Sequence, residues 1–141
     1  LAFVLTLQQV PHMVGEMMIA LSASGGTWLF MLLSIVILIL MGSVLEGAAA
    51  LIIFAPLLVP VATRLGIDSL HFGVVLVIAM GIGLFAPPLG LGLYGACLIG
   101  NVPIESTVKP ILGYLGLLFL CLLAIAFLPA LSTALPHALG Y

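Results

Sequence analysis

Charge is what this sequence has least of. Among its 141 residues two are Lys or Arg and four are Asp or Glu: Glu16, Glu46, Arg64, Asp68, Glu105 and Lys109. Soluble domains carry about 25% charged residues, whereas here the figure is 4%, with 65% hydrophobic. A water-soluble domain of about 150 residues still exposes roughly 30% of its unfolded-chain surface, so it could not hide so much apolar material. The shortage of charge therefore excludes a soluble globule and makes lipid the solvent. A net charge of −2 without any basic cluster argues against nucleic acid or an anionic lipid surface as a partner. Cysteine is scarce too: Cys97 and Cys121 form no spaced pair for metal or redox chemistry and read as packing residues. Catalytic patterns are missing as well, since there is no Ser/His/Asp set, no metal-ligand spacing and no phosphate-cradling loop followed by lysine, so an enzyme is not expected. No basic segment followed by a small-residue cleavage site opens the chain, so no signal peptide is expected, and the sequence reads as a piece of a longer protein.

What the sequence does have is long uncharged runs, at 17–45, 47–63, 69–104 and 110–141. At ~1.5 Å rise per residue, about 20 apolar residues cross a ~30 Å hydrocarbon core, so these runs hold several membrane segments. The pattern predicts an all-α, polytopic membrane protein in four parts. Residues 1–24 are expected to hold the end of a helix, a break at Pro11 and a moderately amphipathic arm helix over 12–23.

Residues 25–63 form the second part. Gly25 and Gly26 punctuate the chain, and Thr27 can cap a helix over 27–41. Fifteen residues reach only about 22 Å, short of the bilayer core. The small, polar stretch 42–47 follows, then a second short helix over 48–63 that contains Pro56 and Pro60, each of which removes a backbone donor. Two short apolar helices joined by a glycine-bearing tip predict a re-entrant hairpin.

In the third part, 64–103, the Arg64 and Asp68 pair marks a wet loop, and the uncharged segment that follows is interrupted at 81–92. No straight helix survives Pro87-Pro88 flanked by Gly81, Gly83, Gly90 and Gly92, because donors vanish and the residue before each proline leaves the α region. A discontinuous transmembrane helix, broken near mid-membrane, is expected. In the fourth part, 104–141, Pro103 and Glu105 start a spanning helix over 104–128, Pro129 ends it and the tail is interfacial.

Irregular backbone inside a membrane is tolerated where it lines a cavity or is buried in protein. In secondary transporters such breaks meet near the midplane, where half-helix N-termini attract anions and freed carbonyls coordinate cations. Glu46, a carboxylate with apolar runs on both sides and no nearby basic partner, is a candidate by the same reasoning. His71, at the start of the interrupted segment, is expected at an interface, as are His12 and His137, and Trp28 suits an aromatic belt.

The ordered set Gly42-Ser-Val-Leu-Glu46, Ile53-Phe-Ala-Pro56-Leu-Leu-Val-Pro60, Leu65-Gly-Ile-Asp68, His71-Phe-Gly73 and Gly81-Ile-Gly83-Leu-Phe-Ala-Pro87-Pro88-Leu-Gly90 resembles the second half of the large (M) subunit of TRAP transporters, over nearly the whole chain. The resemblance implies a sodium-driven importer of organic acids in the bacterial or archaeal cytoplasmic membrane, with a mobile elevator domain built from two inverted repeats. Its partners would be a periplasmic substrate-binding protein and a small membrane subunit. No cofactor is implied beyond Na⁺ as coupling ion. Backbone around Gly42, Ser43, Gly83 and Ala86 would form a Na⁺ site, with Glu46, Pro87, Pro88 and Gly90 near the substrate. Many family members have threonine where this chain has Ala86, which leaves only a carbonyl there, and Glu46 replaces a commoner aspartate. The competing readings are a symporter of the same superfamily that works without a binding protein, and a structural membrane subunit in which glycines and prolines only serve packing.

Overall fold

The computed structural model describes residues 10–45, 47–87 and 89–138. Among the described residues six helices follow one another: α1 (Val10–Val44), α2 (Gly47–Arg64), α3 (Ser69–Phe85), α4 (Leu91–Gly100), α5 (Ile104–Phe127) and α6 (Ala130–Ala138). The all-α expectation holds among the described residues. Val10 and Pro11 are already helical, so the break expected at Pro11 falls at the margin of what is described.

α1 consists of two limbs. Gly26 separates them at φ 66, ψ −163, a conformation open to glycine because it has no Cβ to clash. The second limb, Gly26–Val44, is 19 residues long, and α2 has 18. The expectation of a 15-residue helix ending before Gly42 was too short. Gly42 and Ser43 are helical and buried, because a helix accepts small residues where another backbone lies close against it. At about 28 Å, the limb is long and apolar enough to cross a bilayer, as are α2 and the 24-residue α5. Length therefore gives no argument for a hairpin that turns back.

α2 runs through both of its prolines. Its buried stripe is Ala50, Phe54, Leu58 and Ala62, at the i, i+4 spacing of one helix face, while Pro56 and Pro60 lie on the exposed side. A left-handed Gly66 (φ 80) ends it. The Gly66 and Ile67 N–H groups donate to the Thr63 and Ala62 carbonyls at 3.0 Å each, a double bond that satisfies the end of the helix and turns the chain toward α3.

The second limb of α1 runs parallel to α3. Phe30 and Phe72 meet near one end, with ring centroids 5.7 Å apart, and Gly42 meets Met80 near the other. α2 returns beside them, so that the Thr27 hydroxyl at the start of the limb reaches the Leu65 carbonyl oxygen at 3.4 Å. α5 passes antiparallel to α3, its Ala126 beside His71 and its Leu115 and Phe119 beside Ile82 and Ala86. The core lies where these helices converge, around Phe30, Ile35, Leu38, Phe54, Leu58, Phe72, Leu76 and Leu122.

The interrupted segment is present. α3 ends at Phe85 and α4 begins at Leu91, with Ala86 (φ −73, ψ 121) and Gly90 (φ −55, ψ 105) in non-helical backbone between them. α4 ends in a left-handed Asn101. Past Pro103 the chain enters α5, as expected, with Glu105 in its first turn. Pro129 does end that helix, and α6 forms directly after it.

Candidate functional site

Four expected cation-site residues come together at one place, the junction of α1, α3 and the break. The contact that makes it is glycine on glycine. A Cβ placed on Gly83 would overlap the Ile39 carbonyl oxygen and stand 3.0 Å from the Gly42 Cα. A Cβ on Gly42 would stand 2.8 Å from the Met80 carbonyl oxygen. Both glycines are therefore required by backbone packed on backbone, as small residues are at close helix crossings in membranes. By contrast Gly81, two residues before Gly83, has nothing within 4 Å of its Cβ position.

The break itself is a tight turn. The Ala86 N–H donates to the Gly83 carbonyl at 2.9 Å, and the Gly90 N–H donates back to the Ala86 carbonyl at 2.9 Å. A side chain at Gly90 would meet the Leu84 and Ala86 carbonyl oxygens at 2.7 and 2.8 Å, so only glycine lets the chain fold so closely on the end of α3. Ser43, in the last turn of α1, donates its hydroxyl to the Leu40 carbonyl at 2.8 Å, which leaves the oxygen's lone pairs free to accept or coordinate. The oxygens of Ser43, Gly83 and Ala86 are the hard donors that an alkali cation takes. Among the described residues no cluster of three His, Cys, Asp or Glu side chains could hold a transition metal.

Depth is set by α5. Ala86 and Pro87 share an apolar groove with Leu112, Leu115, Gly116 and Phe119, the central stretch of that 24-residue helix. The break therefore lies beside the middle of the longest uninterrupted apolar rod among the described residues. Glu46 and Pro88, expected near a substrate with Pro87 and Gly90, lie outside the described residues.

Two polar features at the opposite end of α3 escaped the sequence reading. Asp68, read there only as part of a wet loop, caps α3: its Oδ1 accepts from the Leu70 and His71 N–H groups at 2.9 and 3.0 Å. An aspartate directly before an apolar run is an N-cap signal that was available. His71, expected at an interface, is 2% exposed, and its ring lies between Ser132 and the Ala126 carbonyl. That partnership spans 61 residues of sequence, and no local pattern announces it. Trp28 remains 68% exposed and stacks on Phe127, with centroids 4.6 Å apart.

Three helices long and apolar enough to cross a bilayer, with irregular backbone packed among them, define a multi-pass membrane protein. Comparison with known proteins narrows the class. The family described as tripartite ATP-independent periplasmic transporter, DctM component, matches residues 1–131, and the chain belongs to it. A C4-dicarboxylate TRAP transporter large permease protein, DctM, of Pseudomonas aeruginosa is 36% identical over 139 residues, 99% of this chain and 32% of that protein. The DctM permease of Vibrio cholerae is 37% identical, covering 99% of this chain and 30% of its own length. The sialic acid TRAP transporter large permease protein, SiaM, of the same organism is 34% identical over 95% of this chain and 31% of its own length. The chain spans about a third of the length of these relatives. These relatives are transport permeases, not enzymes.

Proposed function

We propose that the chain is the part of a TRAP permease subunit that holds one half of its transport site, in a sodium-coupled, binding-protein-dependent importer of organic acids such as C4-dicarboxylates or sialic acid. The observation that carries this reading is the glycine-on-glycine contact that seats the end of α1 against the break after α3, beside the middle of α5. In a membrane, backbone breaks at that depth belong where they line a cavity or a binding site.

On this reading the Ser43 hydroxyl and the carbonyls of Gly42, Gly83 and Ala86 take Na⁺. α4, which begins directly after the break, offers the unpaired N–H groups and positive dipole end of its first turn to a carboxylate. Glu46, Pro87, Pro88 and Gly90 shape the substrate side. The second limb of α1 with α2 acts as a re-entrant hairpin. Supporting this, Gly42, a few residues before the turn, packs against Gly83, a few residues before the break, although both helices have the length of full spans. The hairpin and the interrupted helix then move together as half of an elevator domain, whose other half is an inverted repeat elsewhere in the permease. The full assembly includes a periplasmic substrate-binding protein and a small membrane subunit, in the cytoplasmic membrane of a bacterium or archaeon.

The test is uptake of a panel of organic acids, including dicarboxylates and sialic acid, by the complete transporter with its binding protein, with and without a sodium gradient. Uptake of at least one acid should require the gradient, and Ser43→Ala should raise the sodium concentration needed for half-maximal uptake. Uptake indifferent to sodium in both proteins would remove the coupling ion from this site.

A further inference from the structure

His71 is a buried side chain with ionisable chemistry that the transport reading does not use. It stands in the first turn of α3, 2% exposed, with both ring nitrogens engaged. Nδ1 lies 2.6 Å from the Ser132 hydroxyl oxygen, and Nε2 lies 3.2 Å from the Ala126 carbonyl oxygen in the last turn of α5. Ser132 belongs to α6 and is also within donating distance, 3.0 Å, of the Pro129 carbonyl. One ring thus joins the start of α3 to the end of α5 and to the helix after it.

The hydrogen count at this join is unusual. With a neutral ring, Nε2–H donates to Ala126 and the Ser132 hydroxyl donates to Nδ1. With a protonated ring both nitrogens donate, and the Ser132 hydroxyl turns its hydrogen to the Pro129 carbonyl while its oxygen accepts from Nδ1. No bond is lost in either state. The Pro129 carbonyl does not depend on Ser132, because the Thr133 hydroxyl and N–H both donate to it, at 2.9 and 3.0 Å. Asp68, whose carboxylate caps α3, lines the same cavity, where α1 contributes Thr27, Trp28 and Met31 and α5 contributes Ala126 and Phe127. Arg64 stands exposed at the end of α2.

We propose that His71 is a positioning residue, clasping α5 and α6 onto α3 through Ala126 and Ser132 so that the break stays beside the middle of α5. The clasp itself does not depend on the transport reading, which enters only through uptake. The test therefore uses thermal stability as well, measured on the full-length permease with its small subunit. His71→Phe keeps a ring of similar size and removes both bonds, and should lower the melting temperature by roughly 3 °C or more. His71→Gln, which can donate and accept, should recover at least half of that loss and restore the uptake that His71→Phe reduces. Ser132→Ala keeps the bond to Ala126 and leaves buried Nδ1 without its partner, so it should lower the melting temperature by less than His71→Phe does. A His71→Phe protein as stable as the wild type overturns the clasp. A Ser132→Ala protein as stable as the wild type overturns the Ser132 arm of it. Should the assembly carry no organic acid at all, the stability results still decide the clasp.

Discussion

The two ends of α3 are held by opposite means. Its first turn is fixed by polar side chains: Asp68 caps it, and His71 reaches across to Ser132 and Ala126. Its last turn is fixed by the lack of side chains, where Gly83 lets the backbone of α1 come within contact distance. In a bilayer, apolar burial does little to drive helix against helix, so close van der Waals packing and interhelical hydrogen bonds must serve. α3 uses one of them at each end, the hydrogen bonds at the end marked by Trp28 and the loops, and the close packing at the break.

That contrast can be broken most severely at the glycine end. Gly83→Val puts branched carbon into the Ile39 carbonyl and the Gly42 backbone, so the crossing must open. We expect uptake by the complete transporter to be abolished while the permease still reaches the membrane, with a stability loss of about 1–3 kcal/mol; normal sodium-dependent uptake by this variant would contradict the proposed site. Gly90→Val should follow closely, since its side chain would collide with the Leu84 and Ala86 carbonyls, and membrane level against uptake is again the pair of measurements. At the polar end the effect is smaller. Asp68→Ala removes a cap and should cost about 1 kcal/mol, read as a lower melting temperature with uptake largely retained. Gly81→Ala gives the smallest effect and the sharpest control: its Cβ would enter open space, and the gain in helix propensity is about 0.5–1 kcal/mol, so stability should hold or rise. A severe defect in this variant would show that loss of glycine, rather than the clash, is what α3 cannot tolerate.

Much of this architecture was legible because each element carried its own local signal. Gly26, Pro87-Pro88 with their glycines, and Pro103 before Glu105 mark a kink, a break and a helix start through the backbone conformations they permit or forbid, and each feature appears where those residues stand. The end of α1 was misread because Gly42-Ser43 carries the local chemistry of a turn. What keeps it helical is the backbone of Met80, almost forty positions away, which a sequence window does not contain. The candidate site shows the same division. Gly83 and Ala86 were found through the break, but that Gly42 touches Gly83 could be known only once the two helices were packed. The partners of His71 were hidden for a related reason: they belong to α5 and α6, and its position at the head of an apolar run looks like that of any residue near a membrane surface.

The crossing of Gly42 and Gly83 also limits how such a protein can diversify. A side chain can be trimmed or lengthened by a methylene, and selectivity can drift with it, whereas hydrogen has no smaller neighbour and alanine already overlaps the facing main chain. These two positions leave mutation nothing to adjust by degrees. New substrate preferences must arise from residues around the crossing, while the crossing is inherited whole.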